Sequence, residues 1–146
     1  MTQFHSNINT ASEEFQRNRA DMLESIDTLR EILDRAATLS DKALPRFQRR
    51  GQLLPRERLS RVLDPGMPFL EIANMAGFLV DDPNRETAVP GCNIICGIGY
   101  ISGVRCMLMV DDSGINAGAM TALSARKGIR AMEIARRKKL PFVHLV

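Results

Sequence analysis

The groups best placed to do chemistry lie in the last third of the 146-residue sequence. Arg126, Lys127 and Arg130 are spaced to share part of one helix surface, either as charge-assisted donors to an anion or as a solvated face. Ahead of them, Gly118 and Ala119 close a loop before a helix start, which favours negative groups; the alternative is a structural turn. Asp111 and Asp112 invite an acid/base or metal role. Adjacent residues at a strand end point apart, however, and no third oxygen ligand is near, so both read as loop residues and no metal site is expected. His144 alternates with Val143 and Leu145 in a strand expected to be buried, and reads as a hydrogen-bonded core histidine rather than a catalytic one. Cys92, Cys96 and Cys106 are odd in number, sit in or beside an apolar run and have no second Cys/His pair, so buried thiols are expected. Arg136, Arg137, Lys138 and Lys139 cluster where cations suit the end of a helix, and His5 lies in the N-terminal start.

The elements that must position these groups are legible as a β-α-β crossover. An apolar strand ends at Val110, the loop runs from Asp111 to Ala119, a helix spans about Thr121 to Lys139, and Leu140 to Val146 is apolar again. Its strands should be parallel, with the crossover right-handed. Ligands bind beyond the carboxyl ends of such strands, so the chain is expected to be cut where a site begins, at Val146. Upstream, Ile94 to Ile101 and Val104 to Val110 read as a hairpin joined by Ser102-Gly103. Gly97 and Gly99 suggest a kink or close backbone approach, and lack the third glycine of a dinucleotide fingerprint. Phe69 to Ile72 and Gly77 to Val80 read as short strands, and Asp81 to Pro90 as a polar loop.

The first part of the chain is helical in pattern. Thr10-x-x-Glu13 offers a capping box, and Phe15, Met22, Ile26, Leu29, Leu33 and Ala36 then form one apolar stripe on a helix of about seven turns. That stripe must be covered, by a partner or by the helix's own domain. The pattern weakens from Ser40 to Leu54; Pro55 opens a short helix through Leu63, and Asp64-Pro65-Gly66 stops it. Arg46, Arg49, Arg50, Arg56, Arg58 and Arg61 face only Glu57, making a basic arm that is solvated, subunit-facing or anion-binding. The whole chain is 45% hydrophobic and 25% charged with a net charge of +3, globular proportions that give no reason to expect a nucleic-acid partner. With no apolar run long enough for a membrane span and no signal-like start, the expected compartment is the cytoplasm.

Ordered blocks along the chain resemble one family. Ser12-Glu13-Glu14-Phe15 with Asn18 and Met22 is similar to the opening helix of the methylcrotonyl-CoA and geranyl-CoA carboxylase branch of the carboxyltransferase (β) subunits of biotin-dependent acyl-CoA carboxylases. Arg50-Gly51-Gln52-Leu53-Leu54-Pro55-Arg56-Glu57-Arg58-Leu59, Leu63-Asp64-Pro65-Gly66 and Phe69-Leu70-Glu71 resemble the family's signature at the start of its core. Pro90-Gly91, Gly97-Ile98-Gly99, Ile101-Ser102-Gly103, Arg105-Cys106-Met107, Arg130 to Ala135 and Leu140-Pro141 continue the resemblance.

The resemblance implies an α/β, crotonase-like (ClpP/crotonase) spiral of β-β-α units, incomplete here and preceded by an N-terminal helical arm. Residues 1–64 would be the arm with its basic linker helix, and 65–146 the N-terminal part of a truncated carboxyltransferase N domain. It implies carboxyl transfer from carboxybiotin to an acyl-CoA, a ligase-type carboxylation in which backbone N–H groups stabilise the enolate oxygen. Biotin would ride on a biotin carboxylase/biotin carrier (α) subunit, and β subunits would form a homo-oligomer; no cofactor is expected on this chain itself. Gly118, Ala119, Arg126, Lys127 and Arg130 become candidates for CoA contact. Two departures stand out: Ala117 replaces a glycine in Asn116-Ala117-Gly118-Ala119, and the family's Ser-Gly-Gly-Ala turn would fall after Val146. The isolated chain is therefore expected to be inactive. The alternatives are a non-catalytic oligomerisation or interaction module that docks on a full-length subunit, and salt-dependent nucleic-acid binding through Arg46 to Arg61.

Overall fold

The computed structural model of the chain describes residues 6–146, so His5 lies outside the described residues. The chain separates into two compact units, Met1–Glu31 and Ile32–Val146, so that 32–64, read from sequence as part of an arm, shares a unit with the sheet.

Helix α1 (Glu13–Asp41) begins in the first unit. Its cap is Ser12 rather than Thr10: the Phe15 amide donates to Ser12 Oγ at 3.2 Å, because the nearer hydroxyl reaches the third helical amide. Thr10 instead accepts the Gln16 side-chain amide at its carbonyl, 2.7 Å away. Within this unit part of the apolar stripe is open to solvent, with Met22 61% and Leu29 41% exposed, while Phe15 and Ile26 are half-buried.

In the second unit the chain from Ile32 onward buries Ile32 and Ser40 before a short helix α2 (Leu44–Arg49) that buries Phe47. Helix α3 (Pro55–Val62) follows with Pro55 in its first turn and Leu59 buried. Four strands then form one sheet in chain order: β1 (Leu70–Ile72), β2 (Ile94–Ile101), β3 (Val104–Asp111) and β4 (Phe142–Leu145). The first two pairings are antiparallel, and β3 pairs with β4 in parallel across helix α4 (Ala122–Lys138). Alternation explains the core. Ile94, Cys96, Met107 and Met109 pack with Ala131 and Ala135 of α4, while Ile95, Cys106, Leu108 and Val110 pack with Leu59 of α3. Both faces of the inner part of the hairpin are covered, so Ile94–Cys96 and Cys106–Val110 are continuously apolar.

Two local devices hold the sheet. Ser102 (φ 50°) and Gly103 (φ 76°) make the tight hairpin turn, and both their amides donate to the Asp64 carboxylate at 2.7 Å. At Gly97 a β-carbon would stand 2.2 Å from the Phe69 ring and 2.8 Å from the Leu70 carbonyl, so the close approach is real and β1 lies against bare backbone. The stretch Gly77 to Val80, expected as a strand, is a turn. Gly77 (φ 76°) and Leu79 (φ 61°) break the extended backbone, and the Val80 amide donates to the Gly77 carbonyl at 3.1 Å.

Candidate functional site

The carboxyl end of β3 gathers the residues of interest. Asp111 is the last residue of β3 rather than a loop residue, and His144 Nε2 lies 3.1 Å from its Oδ1. His144 is not a core histidine. The pattern along β4 alternates exposed and half-buried because Val143 and Leu145 pack on the cluster around Leu59 and Leu108 while the opposite face is open, and His144 falls on that open face.

Asp112 is the residue the sequence reading undervalued. It is 3% exposed, and its Oδ1 accepts the Ser40 hydroxyl at 2.7 Å and the Gly114 amide at 3.0 Å. The carboxylate thus clamps the end of α1 to the start of the loop. Burial pushes its pKa up; the hydrogen bonds from Ser40 and Gly114 and the charge of Arg56 pull the other way, and Asp41 adds to the rise. The bond to the amide two residues on is an Asx turn, so Asp112-x-Gly114 was the available signal.

A single 3-10 turn, Asn116–Gly118, leads to α4. The Gly118 and Ala119 amides, expected to face a ligand, donate within the turn to Ile115 and Asn116 carbonyls at 3.0 Å each. The Ala119 carbonyl accepts Asn93 Nδ2 at 3.0 Å. Ala117 sits at φ 53°, a left-handed conformation that a glycine adopts without steric cost. Thr121 caps α4 by a reciprocal box: its Oγ1 accepts the Ser124 amide at 3.1 Å, and its own amide donates to Ser124 Oγ at 2.6 Å.

The three helix cations do not share a surface. Arg126 and Arg130 are exposed, and Arg130 pairs with Glu133 at 3.0 Å. Lys127 is only 5% exposed and donates to the carbonyls of Gly91 (3.0 Å) and Ile94 (2.5 Å). It is a buried clasp under α4, and desolvation lowers its pKa, an effect partly opposed by Cys96, Glu71 and Cys92. The position is dictated by the helix face that carries Ser124, Gly128 and Ala131 inward. Arg136, Arg137 and Lys138 end α4, and Lys139 is its left-handed cap.

Two cavities open around the loop. One of about 350 Å³ is bounded by Gly77, Asp81, Thr87, Cys92, Asn116 and Thr121. The other, about 220 Å³, is lined by apolar side chains such as Leu33 and Ile115 together with Arg56, Glu71, Asn93 and Asp112. Cys92 is half-buried; Cys96 and Cys106 are buried, and burial pushes the Cys96 thiol up to about 11. Among the described residues, no group of three His, Cys, Asp or Glu is arranged to hold a metal ion, and no helix is long and apolar enough to cross a membrane.

The basic arm is largely engaged inside its unit. Arg56 forms a two-pronged pair with Glu71 (3.0 and 3.3 Å), Arg61 pairs with Glu57 at 2.8 Å, and Arg58 reaches the Val146 carbonyl at 2.7 Å. Arg46 donates to the Ser113 carbonyl.

This α/β unit, a hairpin feeding a β-α-β crossover, has the crotonase-like fold of carboxyltransferases. The sequence profile of the carboxyl transferase domain matches residues 46–146, and the chain belongs to that family. It is 41% identical over 108 residues to the biotin-dependent 3-methylcrotonyl-coenzyme A carboxylase beta1 subunit of Mycobacterium tuberculosis, covering 73% of this chain and 20% of that one. It is 38% identical over 141 residues to the mitochondrial methylcrotonoyl-CoA carboxylase beta chain of Arabidopsis thaliana, covering 95% and 23%. Among solved structures, the geranyl-CoA carboxylase beta subunit of P. aeruginosa superposes with a TM-score of 0.88 at 40% identity, over 98% of this chain and 26% of that one. A transcarboxylase 12S structure, at 22% identity and a TM-score of 0.66, shares the fold. The chain spans about a fifth to a quarter of the length of these relatives.

Proposed function

We propose that this chain contributes part of an acyl-CoA carboxyltransferase site, at which a carboxyl group passes from carboxybiotin to an acyl-CoA of the 3-methylcrotonyl-CoA type. The observation that carries this reading is the β3–α4–β4 crossover. It sets the loop from Asp112 to Thr121 beside a cavity of about 350 Å³ in a chain of the carboxyl transferase domain family. Strand ends of this kind are where α/β folds hold ligands. In this reading the Gly118–Ala119 turn lies beside the thioester with its amides engaged within the turn, while Arg126 and Arg130 stay on the exposed side of α4. Lys127 braces the Gly91–Ile94 backbone behind the loop instead. Biotin is assigned to a biotin carboxylase/biotin carrier subunit, and the chain to an assembly with further β subunits, as the subunit names of its relatives suggest. Three free thiols accord with a reducing, cytoplasmic setting.

The test is thermal denaturation with 3-methylcrotonyl-CoA, followed by an assay with free carboxybiotin. A ligand that binds the native state raises the midpoint in a concentration-dependent way. That rise is expected, with no carboxyl transfer by the 146 residues alone. No rise at millimolar ligand would remove the binding reading, and turnover above background would remove the claim that this stretch is insufficient.

A second reading has its own support in the open stripe of α1, with Met22 and Leu29 exposed. In it the chain is a non-catalytic module that docks on a full-length β subunit. Size-exclusion chromatography with and without that subunit separates the two, since docking without an effect of acyl-CoA favours the module.

A further inference from the structure

Two arginines that the sequence assigns to the arm meet the loop that the carboxyltransferase reading assigns to the ligand. Arg46, Phe47, Arg50, Gln52, Ser113 and Ala117 line a cleft of about 130 Å³. It has room for about four waters' worth of volume, enough for a tetrahedral oxyanion. Arg46 is held in place from two sides: its guanidinium donates to the Ser113 carbonyl and lies 5.4 Å from the centre of the Phe47 ring. The ring is itself buried, so this cation has a fixed plane with donors left over. Arg50 is exposed, and among the described residues neither arginine has a carboxylate partner, unlike Arg56 and Arg61. Gln52 adds a neutral amide, and no acidic side chain lines the cleft.

We infer that this cleft takes a phosphate group from the nucleotide end of CoA, an inference that rests on the acyl-CoA reading above. Two guanidiniums without a counter-ion beside a small cavity suit a dianion better than a thioester or an acyl chain, because planar forks match phosphate oxygens in pairs. Ala117 lines the cleft and immediately precedes Gly118 and Ala119, so a phosphate held by Arg46 and Arg50 would anchor the ligand at the turn.

The experiment is calorimetric titration of the full chain with acetyl-CoA, acetyl-dephospho-CoA and S-acetylpantetheine, repeated with Arg50→Ala and Arg50→Lys. Arg50 is exposed, so neither variant should disturb folding. Charge-assisted hydrogen bonds predict that acetyl-CoA binds about 10- to 100-fold more tightly than S-acetylpantetheine. Arg50→Ala should remove most of that preference without weakening the pantetheine ester, and Arg50→Lys should restore part of it. The dephospho ester then tells the 3′-phosphate from the pyrophosphate, and either assignment needs the loss in Arg50→Ala. Equal binding of the esters to the unaltered chain, or a preference that survives Arg50→Ala, overturns the cleft and leaves the acyl-CoA reading standing. Failure to bind any of the three thioesters overturns both.

Discussion

Asp112 keeps a carboxylate almost entirely out of water at the junction of α1 and the loop. Its pKa is raised above the usual carboxylate range, chiefly by burial, so the folded state binds this proton more tightly than the unfolded state does. The sign follows from linkage: the contribution of this group is most favourable below the unfolded pKa, declines as pH rises towards the folded pKa, and is flat beyond it. Asp112→Asn keeps an oxygen acceptor for Ser40 and Gly114 but removes the charge. That variant should lose this part of the decline in stability with rising pH, read as the urea midpoint at several values between pH 3 and pH 7. An unchanged slope would show that another carboxylate is responsible.

At the scale of elements, the attachment of β1 depends on what is absent from β2. Gly97 pairs with Glu71 while the Phe69 ring lies across its face. Gly97→Ala should cost about 1–3 kcal/mol, the usual range for overpacking, because the added carbon meets both ring and backbone. Gly99→Ala should cost less, since its nearest neighbour is the mobile end of Leu63, at 2.4 Å. Denaturant unfolding of the two variants gives the order directly, and shortening Phe69 to Leu should recover part of the loss at Gly97. The reverse order would mean that the ring yields more readily than this packing allows. The same strand shows why the Gly77 to Val80 reading failed. Local apolarity resembled β1, but positive φ at Gly77 and Leu79 is a property of the turn that no hydrophobic pattern reports.

For the molecule as a whole, the exposed apolar residues of α1 make association the property to test. Met22, Leu23 and Leu29 are all more than a third exposed in the first unit, a run of apolar surface that a solitary helix does not ordinarily leave in water. Leu29→Glu is expected to shift the chain towards monomer and higher solubility, and to weaken docking on a full-length β subunit, with the second unit's unfolding transition unchanged. Light scattering and size-exclusion profiles check the first part, and a profile identical to that of the unaltered chain would exclude this stripe as the contact. The carboxyl transferase profile matches residues 46–146, so family membership itself does not depend on that stripe.

What the sequence determined by itself was everything carried by short-range periodicity and turn chemistry: the α1 stripe, the Ser102-Gly103 hairpin, the crossover through α4, and the ordered blocks that resemble one family. These are local because alternation and helical spacing set which face a residue occupies before any distant contact forms. Tertiary structure alone decided where the polar groups went. Ser40 meets Asp112 across 72 positions, Arg46 meets Ser113 across 67, and Lys127 meets Gly91 across 36. A lysine at helical spacing from two exposed arginines looks solvated until the sheet is packed beneath it. Desolvation makes a partner for each buried polar atom obligatory, but only the packed fold says which one.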